Sequence, residues 1–473
     1  MIATRRAVVR AGAGLTGILA GACGAPGGST SGGQSAAPVT LEFFHEWDGV
    51  RTKLVEDMCA DFQRLHPHIT PKPMLSRGNL SMDKIFATLV SGTAPDIVNI
   101  RTETGLVWAD KKTLRFLDDL LKRDRINVDQ VLYKSNADLI KLGAKPFGLP
   151  QTTAGVDPIL MYNRQVFSQF GLDPAKPPRT WQEMESTAQR LTQRDGDKLT
   201  RIGFVATNRP YWEWLALNNG DMFIPDGKKV AFNGAEGQET LAWLVDFTQR
   251  TYGSIKAVRD FYAANRTSAS VRGARLPWYD GKEGMFAEIV SMFFRIDEEE
   301  PGFPLGAAVP PYNSKNPKAK AKTIANYVWV YAIPQASKQH DPAWTLNKYI
   351  SIEDGARKAL LAQKRPAAVR KFNEEKAYRD LNPHWGDVVL KNLEASVSMP
   401  QSPAWEDISK GVTKALNDVL DGKLGVKEAL TQAATEAQNL LDTVRSRASP
   451  PEVGAVHSRP VLGGLHHSYH RAA

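Results

Sequence analysis

Cysteine is almost missing from this chain: Cys23 and Cys59 are the only two in 473 residues. With Cys23 near the N-terminus, no disulfide framework can brace the fold, so stability must come from packed cores. Long apolar runs are missing too. The uncharged stretch Ala11–Ala22 is twelve residues, whereas a helix crossing a bilayer needs about 20. Charge of one sign is scarce: the formal +9 falls to +6 once Arg5, Arg6 and Arg10 are set aside with residues 1–22. No basic stripe interleaved with aromatics occurs, which excludes a nucleic-acid partner. No GxSxG, P-loop, HExxH or CxxC occurs either, so no catalytic, metal or cofactor motif is legible. His466, His467 and His470 sit in a tail with no preorganised coordination, so no metal site is read there. No internal repeat is evident.

What is present is ordinary globular composition, 42% hydrophobic and 23% charged, in a chain long enough for two or three cores. The N-terminus separates first. A basic start, Arg5-Arg6 to Arg10, precedes the short apolar run, as in an export signal over residues 1–22, and the paired arginines point to the twin-arginine route. Leu19-Ala20-Gly21-Ala22-Cys23 resembles a lipobox, which implies lipidation of Cys23 and a membrane anchor. Residues 23–38, rich in Gly and Ser, then read as a flexible linker.

The chain is organised around Pro146–Thr192. Gly148-Leu149-Pro150 turns into the apolar run Ile159–Tyr162, long enough for a buried strand. A helix carrying Val166, Phe167 and Phe170 follows and stops at Gly171. A loop with Pro174, Pro177 and Pro178 leads to Thr180, with Glu183 at capping-box spacing. Upstream, Val39–Phe44 reads as a strand. A helix follows with Leu54, Met58, Phe62 and Leu65 on one face, then Ile69–Leu75, a helix over Met82–Ser91, and the strand at Ile97-Val98. Strand–helix alternation implies an α/β fold with a parallel sheet and helices on its faces. Downstream, Ile202–Val205, Val230–Asn233 and Tyr327–Pro334 read as strands, and Glu236–Arg250 and Val426–Val444 as helices. Cys59 falls on the apolar helix face, a small buried hydrophobe. The tail 448–473, rich in Pro, Gly and His, reads as disordered.

Candidate ligand groups cluster after strand ends, where open α/β sheets place their sites. Glu46 and Asp48 flank Trp47 after the first strand; Arg101 and Glu103 follow another; Gln151 follows the GLP turn. Carboxylates and arginines there suit hydroxyl recognition, and aromatic rings suit the C–H faces of a pyranose. Trp47 and Trp212 are candidates by position.

Several motifs in order carry a family resemblance. GLP, YN-x-x-x-F-x-x-x-GLD, P-x-TW-x-E-M, G-x-A-PD-I and the L-G-x-x-x-x-P turn within Phe303–Pro311 resemble extracellular solute-binding proteins of ABC importers, the maltose and multiple-sugar receptors. The resemblance covers roughly residues 39–445. It implies a two-lobed periplasmic-binding-protein-like fold with three interlobe crossings, near 148–156, 281–290 and 328–336. One lobe would comprise 39–150 and 285–330, the other 151–284 and 331–447. It implies a monomeric, non-enzymatic receptor, without cofactor, that holds a carbohydrate and hands it to permease transmembrane subunits at the outer face of the membrane. It also implies that Tyr211 and Trp405 stack on sugar, by their places in P-Y-x-x-W and after P-Q-x-x-x. Two rivals stand beside it: the same fold holding an anion such as a sugar phosphate or uronate, for which Arg101 and Arg209 speak, and a secreted carbohydrate-active enzyme.

Overall fold

The computed structural model describes residues 37–471 except 77, 152–155, 225–226, 266, 271–272, 449–455 and 462–465. The export signal, Cys23 and nearly all of the linker lie outside the described residues.

A five-stranded sheet is built in the order Ile69–Leu75, Val39–His45, Ile97–Arg101, Trp329–Ala332, Leu149–Pro150. Its first three strands are parallel, and Trp329–Ala332 runs antiparallel to both neighbours. The alternation of Val39–His45 buries Leu41, Phe43 and His45, as one core-facing side of a pleated strand should. The helix Val50–Leu65 packs Val55, Met58, Cys59 and Phe62 inward and leaves Leu65 64% exposed. The apolar stripe is therefore rotated from the Leu54/Leu65 face read in the sequence; it is the i, i+3, i+4, i+7 set starting one residue later. Cys59 lies inside it, and burial pushes its thiol up to about 12.

A second, antiparallel sheet has Ile159–Asn163 at its centre, flanked by Met285–Glu288 and Leu305–Ala308. All five residues of the central strand are buried. The relay after it holds: Asn163 caps the next helix, and Gly171 closes it with φ +67°. Thr180 and Glu183 make a reciprocal capping box, with Thr180 Oγ1 accepting from Glu183 N at 3.2 Å and Glu183 Oε2 from Thr180 N at 3.3 Å.

Three expectations are corrected. Residues 281–290 do not cross between sheets, because Met285–Glu288 pairs along its length with Ile159–Tyr162. Segments 285–330 and 331–447 are not divided as read. Met285–Glu288 and Leu305–Ala308 belong to the second sheet, whereas Trp329–Ala332 lies inside the first. Apolar on both faces, it fits between Ile97–Arg101 and Leu149–Pro150, with Tyr331 edge-on to Phe43 at 5.3 Å. The helix His340–Ile352 follows it there, Asn347 Nδ2 donating to Tyr331 O at 3.0 Å. Only from Trp405–Leu420 and Val426–Ala448 does the chain rejoin the helix Ala235–Tyr252. Finally, Ile202–Val205 and Val230–Asn233 are not strands; each contributes one isolated bridge, Ile202 to Glu283 and Val230 to Phe223. In the tail, Val456–Val461 pairs antiparallel with His466–Arg471, so these stretches are extended rather than irregular.

Candidate functional site

A cavity of about 200 Å³ opens between the two sheets. From the first sheet come Glu46, Trp47 and Arg51, just beyond Val39–His45, and Gln151 beyond Leu149–Pro150. Tyr327, Val328 and Trp329 enter from the start of the next strand, and Arg365 from the loop after the helix Asp354–Ala362. The opposite wall is Asp157, which precedes Ile159–Asn163, and Ile289–Ser291, which follow Met285–Glu288.

Three of the residues read from the sequence line this cavity: Glu46, Trp47 and Gln151. Gln151 is fixed by the sheet beneath it. Its N–H donates to Trp329 O at 2.7 Å, and its side-chain amide donates to Asn99 Oδ1 at 3.2 Å and to the Tyr331 hydroxyl at 3.0 Å. Asp48 points away, with its side chain 70% exposed, and holds Arg51 at 2.5 Å. Arg101, its side chain 43% exposed, and Glu103 are not part of this lining. The Arg101 guanidinium lies 3.8 Å over the Tyr327 ring and bonds Glu103 at 2.8 Å. Burial raises the Glu103 carboxyl above its ordinary range, against the pull of Arg101, and its Oε2 meets no protein donor.

The second group of aromatics is placed elsewhere, which corrects the reading of Tyr211 as a stacking ring. Tyr211 is buried, and its hydroxyl donates to Phe232 O and Gly237 O, both at 3.0 Å. The glycine is required there: a Cβ on it would sit 2.8 Å from the Tyr211 oxygen and 1.7 Å from Phe232 O. Burial lifts the Tyr211 hydroxyl well above its usual pKa. Trp212 and Trp405 meet edge to face at 5.7 Å, with Phe223 against Trp405. None of the three rings lines the cavity. The P-Y-x-x-W turn does start a helix, Tyr211–Leu217, but Tyr211 and Trp212 are buried with Trp405 in the apolar core.

Sequence reasoning offered Arg209 to an anionic ligand and missed the polar layer that consumes it. Arg209 grips Glu213 bidentately, Nε at 2.8 Å and Nη2 at 2.5 Å, and Asn326 Nδ2 adds a bond to Glu213 at 2.8 Å. Burial opposes the Arg209 charge, but Glu213, with Asp157 and Glu288 beyond it, holds the guanidinium protonated. Asp157 is buried, and its Oδ1 accepts from Val290 N at 2.8 Å. Burial pushes its carboxyl up to about 7, with the Val290 N–H and Arg209 acting against that shift. Glu288 is raised by the same cause. The i, i+4 spacing of Arg209 and Glu213 was the one signal for this layer. The described residues hold no cluster suited to a metal ion, and no described helix is long and apolar enough to cross a membrane.

The chain resembles known proteins over most of its length. The sn-glycerol-3-phosphate-binding periplasmic protein UgpB of Escherichia coli K12 is 26% identical over 221 residues, 44% of this chain and 47% of that protein. The chain thus spans about half the length of the curated relatives it matches. Among solved structures, an ABC transporter solute-binding protein of Thermotoga lettingae bound with α-D-tagatose is 21% identical. It superposes with a TM-score of 0.65 over 85% of this chain and 99% of that one. The sugar-binding protein MalE of Xanthomonas citri is 16% identical, with a TM-score of 0.69 over 86% and 98%. These likenesses establish an α/β periplasmic-binding-protein fold. The profile of the family Bacterial extracellular solute-binding protein matches residues 48–355, well over half of the sequence, and the chain belongs to that family.

Proposed function

We propose that this chain is the substrate-binding component of an ABC importer that takes a carbohydrate in the cavity between its sheets and delivers it to permease subunits. The observation that carries the reading is the wall itself. Aromatic rings (Trp47, Tyr327, Trp329) and hydrogen-bonding groups (Glu46, Gln151, Asp157) converge on one cleft at the strand ends. That combination of flat apolar faces and directed polar atoms suits a polyhydroxyl ring. A volume of about 200 Å³ lies below the roughly 300–1,000 Å³ of drug-sized pockets, which favours a short sugar over a long chain. The structural neighbours named for tagatose and for sugar binding support the class.

The architecture supports closure. Residues around the five-stranded sheet make one lobe and those around the three-stranded sheet the other. The chain changes sheets between Leu149–Pro150 and Ile159–Asn163 and again between Leu305–Ala308 and Trp329–Ala332, and a third passage takes it back to the second lobe before Trp405–Leu420. Three strands of backbone at one edge of the cleft form a hinge, and ligand bridging both walls favours the closed state. Arg5-Arg6 support export by a twin-arginine signal, and Cys23 with the Gly/Ser stretch behind it supports tethering by lipid at the outer face of the membrane.

A second reading has specific support. Arg51 and Arg365 line the cavity, and the curated relatives bind sn-glycerol 3-phosphate, so an anionic ligand is the rival. A thermal-shift screen of mono- and oligosaccharides, polyols and sugar phosphates tests both. A ligand at 100 times its Kd adds about 2.7 kcal/mol of stability, a readily measured rise in Tm. Turnover of any of these compounds would overturn the binding reading, and a Cys23→Ser chain that stays with membranes would overturn the anchor.

A further inference from the structure

We propose that Asp157 is the specificity-determining contact of the cleft, a fixed carboxyl that engages a hydroxyl of a neutral ligand and turns phosphate away. This rests on the solute-binding reading above and goes beyond it by choosing between its two ligand classes.

Three contacts immobilise Asp157 in the cavity wall. Its backbone N donates to Ile324 O at 3.0 Å, its carbonyl accepts from Ile324 N, and its Oδ1 accepts from Val290 N. Ile324 and Val290 come from different segments, so Asp157 is held from both sides. Its side chain has no solvent-facing alternative, since the residue is 5% exposed. One carboxyl oxygen is spent on Val290, and a carboxyl has capacity for further bonds.

The charge around it is unbalanced. Glu213 on the helix Tyr211–Leu217 and Glu288 on the strand Met285–Glu288 both act on Asp157; Arg209, the guanidinium that opposes them there, is consumed bidentately by Glu213, and Arg295 acts on Glu288. Across the cavity stand Glu46, Arg51 and Arg365, with Arg51 already paired to Asp48. Tyr327 completes the surround; the field of Asp157 helps to raise its hydroxyl pKa, after burial itself. Asp157 is the charged side chain that this wall presents to the cavity, so a phosphate seated against it meets a carboxyl and no base there, and like charges in a partly desolvated site repel.

The unmet groups next to the wall point the same way. Glu103 Oε2 and Asn326 Oδ1 are buried acceptors without a protein donor. Sugar hydroxyls can donate to such atoms; an ionised phosphate offers only acceptors.

Calorimetric titration of the intact chain against a panel of neutral mono- and disaccharides, glycerol and sn-glycerol 3-phosphate, from pH 5.5 to 8.5, tests this. The expected result is a neutral sugar bound and glycerol phosphate bound at least about a hundredfold more weakly. Affinity for the sugar should rise from pH 6 to 8, because the ionised carboxylate is the stronger acceptor. Asp157→Asn keeps the shape and the bond from Val290; it should lose at least about tenfold in sugar affinity at pH 8 and give a flat pH profile. Tighter binding of glycerol phosphate than of every neutral sugar, or an Asp157→Asn chain with wild-type affinity and wild-type pH profile, would overturn the proposal while leaving the receptor reading intact. If no member of the panel binds, the receptor reading falls and this inference with it. The wild-type pH profile needs no variant, so a misfolded Asp157→Asn chain does not block the test; a flat wild-type profile counts against Asp157.

Discussion

Trp47 and Tyr211 are both aromatics that the sequence offers as ligand contacts, and both are almost fully enclosed, 4% and 3% exposed. Burial does not separate them; the fate of the neighbouring polar atoms does. Around Trp47 the chain leaves a cavity lined by Glu46, Arg51, Gln151 and Tyr327. Around Tyr211 the polar valences are closed internally, Asn326 Oδ1 apart: the hydroxyl on two backbone carbonyls, Arg209 on Glu213, the Asn326 amide N–H on Glu213. A ligand can be held where a wall keeps groups in reserve, and the Tyr211 region keeps few. Substitutions at the two places should therefore fail in different assays.

The largest effects are expected on the closed side, in folding. Tyr211→Ala empties a fully packed site and should cost roughly 3–5 kcal/mol of stability. Arg209→Ala leaves Glu213 buried without its counter-charge and should cost about as much, roughly 3–5 kcal/mol. Chemical denaturation measures both. In either variant the folded fraction should bind ligand within a few-fold of wild type, provided the cavity wall keeps its shape. A Tyr211→Ala chain with native stability and lost binding would return the ring to the site.

On the open side the loss should appear in binding. Trp47→Ala is expected to weaken the cognate ligand by at least about tenfold, or 1.4 kcal/mol, with a smaller stability loss than Tyr211→Ala. Because a stacked ring acts through desolvated area, the weakening should barely change between low and high salt. Unchanged affinity would mean that the cavity opens onto ligand elsewhere along its wall.

A smaller effect, in stability against pH, marks the boundary between the two regions. Asp157 ionises near 7 when folded, against an ordinary value of 3.8. Between those values the unfolded chain gives up its proton while the native one keeps it. This contribution to stability is therefore fully present at low pH, declines as pH rises from about 4 to 7, and stays lost above. Asp157→Asn removes that penalty, so the variant should melt higher than wild type at pH 8, with the gap closing toward pH 4. A gap that widens toward acid would mean that Asp157 is stabilised as a carboxylate.

Much of this was legible beforehand, and the exceptions have causes. Local signals fixed local elements: the Thr180–Glu183 box, the stop at Gly171, and the buried strand after Pro158 all rest on contacts within a few residues. Sheet membership was less legible. Met285–Glu288 and Trp329–Ala332 are both short apolar runs, and nothing within either says which sheet it will join. The residues Glu46, Trp47 and Gln151 could be placed in the cavity because each follows a strand end. Asp157, Arg209 and Glu213 could not be assembled from spacing alone, since Asp157 meets Val290 across 133 positions and Asn326 meets Glu213 across 113.

The finest expected effect concerns the aromatics between these extremes. Trp212 and Trp405 meet edge to face at 5.7 Å, interplanar angle 84°, and Trp405 meets Phe223 in the same way at 6.3 Å. An edge-to-face pair is worth about 0.5–1.5 kcal/mol beyond the area it buries, so a double-mutant cycle on Trp212→Leu and Trp405→Leu should give a coupling of that size. Both rings lie off the cavity wall, so the coupling should be the same with ligand absent and at saturation. Glu406, beside Trp405, acts electrostatically on Glu103 of the helix Thr102–Asp110, so the helix start at Trp405 lies within electrostatic reach of that helix. If the cleft closes far enough for ligand to reach Trp405, saturating ligand would change the measured coupling. A ligand-independent value would leave Trp212 and Trp405 with Tyr211 as core, and a ligand-dependent one would move them to the side of Trp47.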